Sequence, residues 1–157
     1  SLFRASMMST AYSADASAAQ MKAIESYSFH LGMAFQMMDD IFDYSPRLNT
    51  GKPVGVDILE KKFTLPFFGF LHNAPYEISS EFVERLRLLE TNSGEEEKQA
   101  FSREAIALVE QYKGLDYAYD RLEQEIDKAV TSLSVLDDSP AREYLVAFAR
   151  YMSVREH

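Results

Sequence analysis

The sequence has 157 residues and no cysteine, and its 16 basic and 25 acidic side chains give a formal charge of −9. The length allows one domain of ordinary size with a real core. Without cysteine, disulfide scaffolds, Cys-based zinc sites and thiol catalysis are excluded, and the acidity argues against nucleic-acid binding. His30, His72 and His157 are too scattered for a histidine metal centre. No apolar run approaches the ~20 residues needed to span a bilayer, and no basic-then-apolar leader opens the chain. The expectation is a cytoplasmic globular protein that is not transmembrane.

Glycine and proline punctuate long stretches that hold neither. Residues 1–13 read as a helix, with Leu2, Phe3, Met7 and Met8 apolar. Asp15 is the expected N-cap of the next helix, which should run from about Ala16 to Tyr44 and stop at Pro46 and Asn49-Thr50-Gly51. Residues 45–62 read as a loop. A short apolar helix, about Thr64 to Asn73, follows, with Pro66 in its first turn, where no intrahelical donor is lost. Phe82, Leu86 and Leu89 share one helical face, and Thr91 to Gly94 is a stop. Phe101, Ala105, Leu108 and Tyr112 mark the next face, ending at Gly114, and Tyr119, Leu122, Ile126 and Val130 another. Ser139-Pro140 opens a last helix with Tyr144, Leu145, Phe148 and Met152. No strand alternation or internal repeat is present, so the fold class is all-α.

The charge is unevenly spread. Most of the acidity lies after residue 78 and reads as solvated helix surface. Before it, Asp39, Asp40 and Asp43 are followed at once by a stretch holding Arg47, Lys52, Lys61 and Lys62. Gly32, Gln36, Asp39, Asp40 and Asp43 are three or four residues apart and form a polar stripe on one helical face. The other faces carry Phe29, Met33, Phe35, Met37, Met38, Ile41 and Phe42, so the helix is expected to lie deep in a bundle. Carboxylates in such surroundings are costly unless paired or metal-bound, and three within two turns repel one another. A hard divalent cation resolves both problems. Mg²⁺ suits one or two carboxylates, several waters and a substrate phosphate. Gly32 permits either close packing or room for a bound chain, and Gln36 reads equally as a satisfied buried amide.

The basic stretch, from Gly51-Lys-Pro-Val-Gly55 to Thr64-Leu-Pro66, is not a Walker A loop, because that motif's spacing is absent. Its lysines can act as point charges on a phosphate. Asp57 can cap a turn or pair with a lysine. An acidic cluster followed by a basic loop is what a magnesium–diphosphate site requires: carboxylates hold the metal, the metal holds phosphate oxygens, and lysines neutralise the remaining charge.

Gln36-x-x-Asp39-Asp40-x-x-Asp43, then Gly51-Lys52-Pro-Val-Gly55-x-Asp57, then Glu60-x-Lys62-x-Thr64-Leu65-Pro66, resembles the trans-isoprenyl diphosphate synthases, in particular their polyprenyl synthetase branch. The first stretch looks like the family's second aspartate-rich motif, and the chain from Tyr112 onward resembles its C-terminal helices. The resemblance implies an isoprenoid-synthase-type helical bundle, with residues 1–157 the C-terminal half of one polyprenyl synthetase domain. It implies a Mg²⁺-dependent prenyltransferase that joins an allylic diphosphate to isopentenyl diphosphate, and a homodimer when full length. Carried over by position, Asp39 is a direct Mg²⁺ ligand, and Asp40 and Asp43 are ligands through water or support for it. Lys52 and Lys62 contact the allylic diphosphate, and Gln36 borders the cavity near the reacting carbon. Lys61 stands where many relatives have glycine. The family's earlier aspartate-rich motif and its isopentenyl diphosphate groups have no counterpart here, so the fragment alone is expected to be inactive. The alternative class is a non-catalytic subunit retaining the fold, against which the intact carboxylates and lysines stand.

Overall fold

In the computed structural model the described residues are 2–44, 56–60, 62–89 and 94–152. Among them every regular element is a helix: α1 (Leu2–Ser13), α2 (Ala18–Phe42), α3 (Val56–Leu59), α4 (Leu65–Asn73), α5 (Tyr76–Leu88), α6 (Glu95–Gln111), α7 (Gly114–Ser132) running into a 3₁₀ turn (Leu133–Val135), and α8 (Pro140–Tyr151). The all-α expectation holds. The chain forms two compact units, residues 1–38 with 120–157 and residues 39–119.

In the first unit α2 starts two residues later than expected. Its N-cap is Ser17 rather than Asp15. The Ser17 hydroxyl accepts the Gln20 N–H at 3.3 Å, and the Gln20 side chain accepts the Ser17 N–H at 2.9 Å. This Ser-x-x-Gln capping box satisfies two orphan amide donors together, which a lone Asp15 could not do. Asp15 instead takes the left-handed backbone of the α1–α2 turn, φ 52°.

Ala23, Tyr27, Leu31 and Ala34 form the buried stripe of α2 in this unit. The Tyr27 hydroxyl donates to the Leu145 carbonyl at 2.7 Å, which ties α2 to α8, and burial pushes this phenol up to about 12. The deep-burial expectation for the remaining faces of α2 holds only in part: Ile41 is buried, but Phe29 is 54% exposed, Phe35 55% and Met33 39%. Alanines let α2 pack closely along one stripe, so its bulkier side chains project from the opposite side. The last helix behaves similarly. Ser139 caps it as expected, accepting the Arg142 N–H. Ala149 is its buried residue, while Tyr144 is 77% and Phe148 51% exposed.

The second unit has an aromatic core of Tyr44, Ile58, Phe67, Phe70, Phe82, Leu86, Phe101, Ala105 and Val109. Phe82 stacks on Phe101 at 4.7 Å and meets Phe70 edge-on at 5.7 Å, geometries that suit ring quadrupoles. The predicted apolar helix is α4, with Thr64 at its N-cap and Pro66 in its first turn. It packs on α5 and α6, and α3 packs on α6. Gly114 opens α7 rather than closing α6, because Lys113 takes the left-handed turn, φ 55°. At this point α4 and α7 touch through backbone. A Cβ on Gly114 would sit 2.3 Å from the Pro66 carbonyl oxygen, and one on Gly69 would sit 2.6 Å from the Gly114 carbonyl oxygen. No side chain fits at this crossing.

Candidate functional site

Asp39, Asp40 and Asp43 fall at the C-terminal end of α2, whose last turn holds no basic residue. That end already concentrates negative charge from unsatisfied carbonyls, so added carboxylates are unfavourable there without donors or cations. The second unit supplies donors from two later elements. The Asp43 carboxylate accepts the Asp57 N–H, in the first turn of α3, at 3.3 Å. The Asp40 carboxylate accepts the N–H of Leu65, the first residue of α4, at 3.3 Å. Helix amino ends carry free amides and positive potential, so these contacts partly compensate both carboxylates. Asp40 and Asp43 are partly buried, whereas Asp39 is exposed.

The aspartates thereby hold both ends of the segment that carries Lys62. The Lys62 N–H donates to the Asp57 carbonyl at 2.8 Å, closing the turn after α3. Its ammonium lies 2.5 Å from Glu60 Oε2 and 3.4 Å from Asp57 Oδ1, and is largely exposed. Hydrogen bonds to Glu60 and then Asp57 hold its pKa above the usual lysine range, so it keeps its charge at neutral pH. Of the two roles the sequence left open, Asp57 takes the pairing with a lysine, from a place in the first turn of α3. Between Lys62 and α4, the Thr64 hydroxyl donates to the buried Tyr44 hydroxyl at 3.0 Å. Burial, more than the nearby carboxylates, pushes the Tyr44 phenol far above its ordinary range, so it stays neutral.

Of the residues singled out from sequence, Asp39, Asp40, Asp43, Asp57 and Lys62 fall in this one compact unit. Gln36 lies on α2, three residues before Asp39, and is exposed rather than a buried amide. Lys52 and Lys61, with residues 45–55 as a whole, lie outside the described residues. Sequence reasoning assigned no role to Tyr44 or Glu60. A tyrosine at the end of an apolar helix looks the same as any core aromatic, and only its hydroxyl partner sets it apart.

Among the described residues no three His, Cys, Asp or Glu side chains converge as a closed ligand set. The donors therefore suit a hard cation bound through one exposed carboxylate, with Asp40 and Asp43 held behind it by amides and the remaining positions left to water or a bound anion's oxygens.

Residues 1–105 match the polyprenyl synthetase family. The chain is 34% identical over 158 residues to an octaprenyl diphosphate synthase of Haemophilus influenzae, an alignment covering 98% of this chain and 44% of that protein. It is 37% identical over 139 residues to a short chain isoprenyl diphosphate synthase of Methanothermobacter thermautotrophicus, covering 88% and 40%. Its fold is similar to the crystal structure of a polyprenyl synthase from Caulobacter crescentus complexed with calcium and isoprenyl diphosphate, with a TM-score of 0.81 at 32% identity over 99% of this chain and 46% of that one. The chain thus spans a little under half the length of these relatives.

Proposed function

The chain belongs to the polyprenyl synthetase family, and on that premise we propose that the protein is a prenyltransferase that condenses an allylic diphosphate with isopentenyl diphosphate and releases pyrophosphate. The observation that carries this reading is the joining of the Asp40 and Asp43 carboxylates to the backbone on either side of Lys62. Acid and base sides of a diphosphate site are held to each other by that arrangement.

Mg²⁺ bound at this site would supply Lewis-acid neutralisation of the diphosphate's charge as its carbon–oxygen bond breaks. Asp39, the exposed carboxylate, would hold the cation directly, and Asp40 and Asp43 would be ligands through water or support for it. Lys62 places a permanent positive charge beside the leaving pyrophosphate, which must compete with Glu60 for the ammonium. Lys52 serves the same diphosphate. Gln36, about one helical turn ahead of Asp39, borders the reacting carbon. The allylic carbon loses pyrophosphate, the isopentenyl double bond forms the new carbon–carbon bond, and loss of one proton restores a double bond in a chain five carbons longer. The 157 residues alone, lacking the counterpart of the family's earlier aspartate-rich motif, are expected to give no elongation.

In the intact protein with Mg²⁺, Asp39→Ala should lower kcat by about 100-fold or more, the usual cost of removing one element of transition-state charge stabilisation. Near-wild-type turnover would refute the metal role of Asp39.

A further inference from the structure

Thr64 occupies the N-cap of α4 but does not cap it. Its side chain makes no bond to the helix's own amides, although a threonine at this position ordinarily does. The first amide of α4 is taken by Asp40 instead, and the Thr64 hydroxyl turns to Tyr44. Tyr44 directly follows the acidic motif, is 1% exposed, and is seated in the aromatic core with Phe67 and Phe70. Lys62 is two residues from Thr64.

Segment 57–65 is therefore held to the end of α2 at three places: Asp43 to the Asp57 amide, Asp40 to the Leu65 amide, and Tyr44 to Thr64. The first two ties run through carboxylates, whose charge is drawn on by any cation bound beside them. The third is a part-buried bond between two neutral hydroxyls. Resting on the diphosphate reading above, we propose that Tyr44 and Thr64 are a positioning pair: their part-buried hydroxyl bond sets the spacing between the α2 carboxylates and Lys62, so that both can reach one diphosphate. Neither residue touches substrate.

The test is Mg²⁺-dependent binding of inorganic pyrophosphate to the intact protein by calorimetry, with thermal midpoints measured alongside. One lost hydrogen bond corresponds to roughly a 3- to 10-fold change in an equilibrium constant. Tyr44→Phe, which keeps the ring in the core, and Thr64→Val should each weaken pyrophosphate binding by that factor. The double variant should be no weaker than either single one, because both remove the same bond. Thr64→Ser, which keeps the hydroxyl, should bind like wild type. Unchanged binding in Tyr44→Phe and Thr64→Val would overturn the positioning role, even with lowered thermal midpoints, since that pattern is purely structural support. Additive losses in the double variant would overturn it as well. Asp39→Ala separates the two levels. Wild type that binds and Asp39→Ala that does not, with the hydroxyl variants unaffected, sinks the pair and leaves the diphosphate reading standing. Wild type that fails to bind pyrophosphate with Mg²⁺ sinks both.

Discussion

Among the described residues the unit of residues 39–119 buries phenylalanine rings, whereas the unit of residues 1–38 with 120–157 divides its core between alanines and larger side chains. Phe67, Phe70, Phe82 and Phe101 fill the first core, and the other leans on Ala11, Ala23, Ala34, Ala129 and Ala149 between Tyr27, Leu31, Leu122, Ile126 and Leu133. Both units also leave aromatics outside: Phe29, Phe35, Tyr144, Phe148 and Tyr151 in the alanine-rich unit, and Phe63, Phe68 and Tyr76 in the other, are at least half exposed. Small residues at helix contacts let backbones approach closely, and packed rings fix the elements around them. The candidate site is built on the ring-packed unit, where Tyr44 belongs both to the core and to the site. That placement is what a site requiring fixed distances needs.

The sharpest way to break this contrast is to make the same truncation in both units. Phe82→Ala should cost about 3–5 kcal/mol in urea denaturation, the usual price of emptying a buried phenylalanine. Phe148→Ala should stay within about 0.5 kcal/mol, as exposed substitutions do. Equal costs would mean the two units are not packed differently. A smaller effect is expected at the α4–α7 crossing. Gly114→Ala forces a methyl against the Pro66 carbonyl and should destabilise by about 1–3 kcal/mol; a neutral result would show that the crossing yields easily.

The smallest effect concerns acid stability. In the alanine-rich unit Glu125 accepts from Lys128 at 2.6 Å and pairs with His30 at 2.7 Å. Burial pushes this carboxyl up, but the hydrogen bonds from Lys128 and His30 and their charges leave it below the ordinary range. Glu104, on the surface of the ring-packed unit, is likewise lowered by its bond to Arg85. A carboxyl lowered by folding adds stability above its unfolded pKa and loses it as pH falls through the folded value. Glu125→Gln should therefore flatten the acid limb of the stability curve more than Glu104→Gln. Glu125 is 13% exposed and Glu104 40%, and exposed pairs are screened to below about 1 kcal/mol. A steeper acid limb lost from Glu104→Gln would reverse that ranking.

Much of this was legible from side-chain spacing. Pro66, Ser139-Pro140 and the periodic apolar residues marked α4 to α8 to within a few residues, because caps and 3.6-residue periodicity act locally. The acidic stripe was visible for the same reason. Burial was less legible. The periodicity of α2 and α8 identified amphipathic surfaces but not which surface packs, since an alanine stripe beside a phenylalanine stripe is decided by how closely the next backbone can approach. The N-cap at Ser17 was missed because Asp15 offered an equally good capping oxygen, and only the reciprocal bond from Gln20 separates them.

The sequence by itself therefore determined the longer helices but not α3, which lies in the stretch read as a loop, together with the acid-then-base order and the family resemblance, all properties of neighbours along the chain. Tertiary structure alone decided that Asp40 and Asp43 bond backbone amides at Leu65 and Asp57, and that Thr64 abandons its own helix for Tyr44. It also decided that Gly69 and Gly114 meet. These pairings join residues 14 to 45 positions apart. A donor that distant leaves no periodic trace, and its partner is fixed only when the aromatic core brings the segments into contact.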